Sequence, residues 1–268
     1  MVIASAEKVA HPLVVENMSF SYGAVPLLRD CALTLRRGEI LAIVGPNGSG
    51  KSTLLRLLRG LLAAQSGEVL LEGRSIGRWP RRQIARTIAV VAQREAFPFD
   101  YSVAQTVAMG RFPHRGLWNG DPEGKRAVTS ALEWTELFAL AERPLSSLSG
   151  GELQKVAIAR ALAQDTPLLF LDEPLTSLDI AQQARLMRLL SRLRSQLGKT
   201  VALVSHELSL SAAIADHMLL LFPDARKPVW GRPEEVLTPS HLEQAFGQPL
   251  SVSRRPSGAL RVEPPDPL

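Results

Sequence analysis

Apolar residues in this chain come in short unbroken runs set between polar turns. Two of the runs, Ile40 to Val44 and Leu168 to Asp172, are apolar at almost every position. A strand buried on both faces reads this way, so both are expected in the core of a sheet. Ile88 to Gln93, Val201 to Ser205 and Met218 to Phe222 have the same character. Leu13 to Phe20, Cys31 to Arg36 and Glu68 to Glu72 read instead as strands of an antiparallel-leaning lobe. Elsewhere the period is helical. Leu54, Leu55, Leu57, Leu58, Leu61 and Leu62 recur at helical spacing, as do the Leu and Ile residues of Ile180 to Leu197. From Arg94 to Ala163 the pattern is mainly helical, including SVAQTVAMGR and the longer GKRAVTSALEWTELFALAE. The last stretch, Arg254 to Leu268, holds four prolines among its final thirteen residues and is expected to stay loose.

The junction between the first apolar strand and the Leu-rich helix carries chemistry. GPNGSGKST, Gly45 to Thr53, fits G-x-x-x-x-G-K-[ST] with Gly45, Gly50, Lys51 and Ser52. Its glycines let the backbone over Gly45, Pro46, Asn47, Gly48, Ser49, Gly50 and Thr53 curl so that the N–H groups it carries point inward at a phosphate. Lys51 can reach the β- and γ-phosphates, the Ser52 hydroxyl can ligate Mg²⁺, and the helix N-terminus favours the anion. The bland alternative is a Gly-rich turn between a strand and a helix.

A nucleotide loop needs a carboxylate near its metal, and PLLFLDEP, Pro167 to Pro174, ends a strand in Asp172 and Glu173. Consecutive strand residues face opposite ways, so the two acids take different work. Asp172 suits the Mg²⁺ shell, and Glu173 suits the attacking water as general base. Gln93 and His206 end two further strands. In open parallel sheets ligands gather at the carboxyl ends of the strands, where Gln93, Asp172, Glu173 and His206 would meet. A glutamine or a histidine at a strand end is, taken alone, as readily structural. LSGGE, Leu148 to Glu152, adds a second place where backbone amides could face an anion: Ser149 with Glu152 three residues on reads as a capping box opening a helix.

The order Tyr22, phosphate loop, Gln93, LSGGE, LDE, Ser177-Leu178-Asp179 and His206 resembles the ATP-binding subunit of an ATP-binding cassette (ABC) transporter, over roughly Leu13 to Gly247. The resemblance implies the P-loop NTPase ABC ATPase fold of the α/β class: a mixed-sheet core lobe with an antiparallel β subdomain and a helical lobe inserted at about residues 94–165, all in one domain over residues 1–253. It implies ATP and Mg²⁺ as cofactors, with Ser52, Gln93 and Asp172 on the metal. Tyr22 would stack on adenine, His206 would be the switch histidine, and Ser177 to Asp179 would lie at a dimer contact. Ser149, Gly150 and Gly151 would be the signature that binds the ATP held by a second copy of the chain. No internal repeat is visible, so that copy comes from another chain of a homodimer.

After Gln93, AFPFDYSVAQTVAMGRFPHRG and the closing GRPEEVLTPSHLEQAFG resemble importer ATPases for iron–siderophore, haem and cobalamin complexes, in which V-x-x-G-R-x-P-H recurs, here Val107 to His114. That implies two transmembrane permease subunits as partners, a substrate-binding protein acting indirectly, and a peripheral location on the cytoplasmic face of the inner membrane. Arg111 and His114 also read as a plain polar turn after a helix. The alternatives are the motor of another importer or an exporter, and a soluble ABC ATPase acting on DNA or the ribosome.

Composition narrows these readings. At 268 residues and 46% hydrophobic content the chain can bury a substantial core. The net charge of +5 comes from scattered arginines without a block of like charges, which argues for a solvated basic surface and against a nucleic-acid partner. The single cysteine, Cys31, lies in a strand pattern and is expected to pack in the core. No stretch approaches the roughly 18 apolar residues needed to span a bilayer, and MVIASAEKVAHP lacks a signal-peptide layout.

Overall fold

The computed structural model describes residues 11–93, 99–115, 120–176, 178–256 and 258–264. The chain divides into two compact units, Met1–Trp79 with His206–Leu268, and Pro80–Ser205. The helical lobe expected at residues 94–165 falls wholly inside the second unit, which begins earlier and ends later.

In the first unit, β1 (Leu13–Tyr22) lies between β2 (Val25–Leu35) and β4 (Ser66–Leu71), antiparallel to both, and β5 (Arg74–Ser75) extends the sheet beyond β4. β2 starts six residues before the expected Cys31. Pro26 is tolerated there because β2 is an edge strand, and Gly23, at φ 58°, makes the turn from β1. Cys31 is fully buried, and desolvation pushes its thiol up to about 12, so it is inert. β3 (Ile40–Val44) is buried at every position and leads into α1 (Lys51–Leu58), which buries Leu54, Leu55, Leu57 and Leu58.

The second unit opens with α2 (Arg81–Thr87) and β6 (Ile88–Val91), followed by α3 (Val103–Ala108), a 3₁₀ turn at Met109–His114, and α4 (Gly124–Trp134). The sequence pattern suggested that α4 would run on through GKRAVTSALEWTELFALAE. It stops at Trp134, because Glu136 takes a left-handed conformation at φ 59° and Leu137 turns back so that its amide bonds Leu132 O. Next come α5 (Gly150–Ala163), β7 (Leu168–Asp172), α6 (Ile180–Leu197) and β8 (Thr200–Val204). β7 pairs in parallel with β6 on one side and β8 on the other, so the ends of all three point the same way. Val103, Val107, Ala131, Leu132, Leu137, Val156 and Ala159 pack α3, α4 and α5 into one cluster.

On its return to the first unit the chain forms α7 (Leu208–Ile214), β9 (His217–Leu220) parallel to β3, β10 (Val229–Gly231), α8 (Pro233–Val236), α9 (Pro239–Phe246), β11 (Ser251–Arg254) and β12 (Leu260–Glu263). The hairpin of β11 and β12 departs from the expected loose tail. Leu260 is buried with Leu208, Phe222 and Val236, and Val262 N donates to Ser209 Oγ at 3.0 Å. Pro264, Pro265 and Pro267, whose composition suggested disorder, all follow the last strand residue.

Candidate functional site

The phosphate-type loop grows directly out of β3. Leu221 N bonds Val44 O at 2.9 Å, and a Cβ on Gly45 would lie 2.5 Å from Leu221 O. Only glycine fits where the loop leaves the sheet. Gly50, the N-cap of α1, sits at φ 95°, and a Cβ there would come within 2.9 Å of Leu27 Cγ. Between them Ser49 N closes a tight turn onto Pro46 O at 3.3 Å. Lys51 folds back over this turn, its Nζ donating to Gly45 O and Pro46 O, both at 2.9 Å. The buried ammonium is therefore held at the loop itself, with Ser52 beside it on the first turn of α1.

Two observations bear on whether an anion fits. Ser49 Oγ is buried with no hydrogen-bond partner among the described residues. The N-terminus of α1 also has no side-chain cap. A buried hydroxyl without a partner and an uncapped helix start beside a lysine are costly unless a ligand meets them. The donor set fits a polyphosphate. Tyr22 stands next to the loop: its hydroxyl lies 3.5 Å from Thr53 Oγ1, its ring packs edge-on to Phe20, and it is 49% exposed. A free ring face beside a phosphate loop is available for stacking.

In the second unit, β6 and β7 deliver Gln93 and Glu173 to the same place. Gln93 Nε2 donates to Glu173 Oε2 at 2.6 Å. Glu173 leaves the strand in a left-handed conformation at φ 51°, pinned by its own N to Val204 O at 3.0 Å and by Thr176 N to its carbonyl at 3.2 Å. A non-glycine residue there costs about 1–3 kcal/mol, and the surroundings must hold it. The turn separates Glu173 from Asp172, the last residue of β7. His206 is exposed two residues after β8 and belongs to the first unit with Lys51 and Ser52.

Ser149 caps α5 through a complete capping box. Its Oγ accepts from Glu152 N, and Glu152 Oε2 accepts from Ser149 N at 2.8 Å and from Ser149 Oγ at 2.7 Å. These bonds, the backbone one foremost, hold the Glu152 carboxyl below the usual range. Ser149 and Gly150 are exposed, while a Cβ on Gly151 would collide with the Gln182 amide of α6. Among the described residues Glu152 and Gln182 touch the turn, Leu178 and Arg185 line the cavity beside it, and a Cβ added at Gly150 would meet nothing within 4 Å. Asp179 caps α6 by the same device, whereas Ser177 lies outside the described residues.

The G-R-x-P-H residues point inward. Arg111, 4% exposed, donates Nε and Nη2 to Asp121 at 2.7 and 3.0 Å, and Nη1 to Ala163 O at 2.9 Å. His114 Nε2 lies 2.8 Å from Gln164 O. Sequence reasoning missed Asp121, since nothing in a ten-residue spacing across a turn signals a partner. The fork bond from Arg111 lowers the Asp121 carboxyl below its ordinary range. Asp121→Ala would strand a buried guanidinium, with an expected loss of about 3–5 kcal/mol in urea unfolding at neutral pH. Because the folded pKa is depressed, this contribution is full above the unfolded carboxylate pKa. It disappears as pH falls through the folded value, so the gap between wild type and variant should close in acid.

A family profile described as ABC transporter matches residues 28–176. The chain is 42% identical over 243 residues to a hemin import ATP-binding protein of Streptomyces coelicolor, covering 90% of this chain and 86% of that one. It is 38% identical over 242 residues to a probable siderophore transport system ATP-binding protein of Bacillus subtilis, covering 90% and 88%. Among solved structures, a putative metal-chelate type ABC transporter in an inward-facing conformation matches with a TM-score of 0.82 and 32% identity, covering 96% of this chain and 98% of that chain.

Proposed function

We propose, from the premise that this chain belongs to the ABC transporter family, that it is the ATP-hydrolysing subunit powering import of an iron–siderophore or haem type of metal chelate. The relatives named for hemin and siderophore import, alike over nine-tenths of the chain, support the cargo class and the direction. The observation that carries the mechanism is the exposed Ser149 turn at the N-terminus of α5, where a Cβ added at Gly150 would meet nothing within 4 Å, leaving room for an anion at the helix start.

ATP with Mg²⁺ supplies the cleavable anhydride and the metal charge. Lys51 and the loop amides take the β- and γ-phosphates, Tyr22 offers its face to adenine, and Ser52, Gln93 and Asp172 would hold the metal. Glu173, oriented by Gln93, accepts the proton of the attacking water, and His206 donates to the γ-phosphate. Ser149, Gly150 and Gly151 of a second copy complete the grip. Closure is driven only as far as the closed pair binds nucleotide more tightly than the open one, and ligands from two chains provide that difference. Loss of the γ-phosphate removes the bridge, and reopening moves two permease subunits that receive cargo from a binding protein. Among the described residues no helix is long and apolar enough to cross a membrane. The transport path is assigned to those permease subunits, and this chain to their cytoplasmic face.

Ser149→Arg tests the reading. It should leave ATP affinity within about twofold and abolish ATP-induced dimerisation in light scattering; an unaltered dimer contradicts the role of the turn. Tyr22→Ala should weaken ATP binding by roughly tenfold while Tyr22→Phe stays near wild type, since one lost base stack is worth about 1–3 kcal/mol. Equal affinities in calorimetry remove the stacking role. Cells lacking the protein should fail to accumulate iron–siderophore or haem, and normal uptake of both excludes that cargo class.

A further inference from the structure

The geometry points to a positioning function for Gly110, Arg111 and His114: together they clamp the C-terminal end of α5 and so fix where its N-terminal signature turn sits. The inference rests on the reading of Ser149 given above.

Three residues of the 3₁₀ turn, Gly110, Arg111 and His114, meet the last turn of α5. A Cβ on Gly110 would collide with Arg160 O, so the turn can approach the helix only through glycine. Arg111 Nη1 bonds Ala163 O and His114 Nε2 meets Gln164 O. These are carbonyls that the end of a helix leaves without intrahelical partners, and a guanidinium there also complements the negative end of the dipole. Asp121 grips the other edge of the Arg111 fork, which keeps its direction fixed.

The clamp is also anchored from outside. Pro113 O accepts from Arg82 Nε at 2.8 Å and from Arg86 Nε at 2.9 Å, both on α2. Gln164 Nε2 donates to Ala85 O and, at 3.1 Å, to Ile88 O, where β6 begins. Thr166 Oγ1 accepts from Ala89 N at 3.1 Å and donates to Leu168 O at 2.7 Å, at the start of β7. The root of the signature helix is thus tied to the roots of the two strands whose far ends carry Gln93 and Glu173. One rigid frame sets the general base at one place and the signature turn at another.

The lever is long enough to matter. With 14 residues α5 is about 21 Å long, so a tilt of about 3° at its clamped end moves the Ser149 turn by about 1 Å. A displacement of that size at a catalytic site can cost about 100-fold in rate. Arg111 and His114 touch no reacting group; they act through α5.

The test uses the purified full chain. His114→Ala should lower kcat for ATP hydrolysis about tenfold and reduce the ATP-induced dimer, while ATP affinity and KM stay within about twofold. His114→Gln, which keeps a side-chain donor for Gln164 O, should recover kcat to within about threefold. Arg111→Lys should keep the charge but lose the fork, and fall between wild type and His114→Ala. A kcat for His114→Ala within twofold of wild type overturns the clamp. So does a parallel loss of kcat and ATP affinity, or a glutamine variant of equal thermal stability that performs no better than alanine. Ser149→Arg separates the two claims: normal turnover in it sinks the reading of the signature, whereas a dead Ser149→Arg beside a fully active His114→Ala sinks the clamp alone.

Discussion

Glu173→Gln is expected to bind ATP with wild-type affinity and to lose turnover by about 10²–10⁴-fold, the range a positioned general base contributes. The substitution preserves shape, and its amide oxygen can still accept the bond that Gln93 Nε2 makes at 2.6 Å in the wild type. Only the proton acceptor is lost. With cleavage blocked, the grip on the γ-phosphate persists, so ATP with Mg²⁺ should convert the variant to a stable dimer in light scattering while the wild type shows it only transiently. Wild-type turnover in the variant would remove Glu173 as the base. Gln93→Ala should have a smaller effect on turnover, because it removes the amide that orients the carboxylate and leaves the carboxylate itself in place.

Lys51→Ala should weaken ATP binding by about 10–100-fold in calorimetry, since hydrogen bonds to charged groups are worth about 1.5–3 kcal/mol. Two losses combine. The Nζ that would meet phosphate is gone, and so are its bonds to Gly45 O and Pro46 O, which hold the loop curled. Lys51→Arg cannot substitute, because a planar fork does not fit a buried point-charge position inside this turn. Unchanged affinity in Lys51→Ala would contradict the loop assignment.

How far the chain could be read depended on the range of the interactions involved. Ile40–Val44 and Leu168–Asp172 were legible as core strands because a strand buried on both faces excludes polar residues along its length. Ser149 was legible because a capping box spans only three residues. The early start of β2 was hidden by Pro26 and by the exposed Arg29 and Asp30, which an edge strand accepts. The left-handed turn at Glu173 has no signal at all, since the cause is a backbone bond to Val204 on the neighbouring strand. The same holds for Arg111: its partners are ten and fifty-two residues away, and neither the importer-type motif nor the alternative of a polar turn names them. The closing hairpin was masked by prolines that follow it, although Leu260 and Val262 alternate as a half-buried strand does.

The account stands on two chains sharing one nucleotide, and mixed single-cysteine variants test that most directly. Asn47 in the phosphate loop and Gly150 in the signature turn are both exposed, and the only native thiol, Cys31, is buried and inert. Asn47→Cys and Gly150→Cys are placed in separate chains, each also carrying Glu173→Gln, then mixed and oxidised. With ATP and Mg²⁺ a disulfide-linked species of twice the chain mass should form, and neither chain alone nor the mixture without nucleotide should give it in quantity. If the mixture stays monomeric with ATP at saturation, the signature turn does not close over another chain's phosphate loop, and the proposed mechanism is wrong.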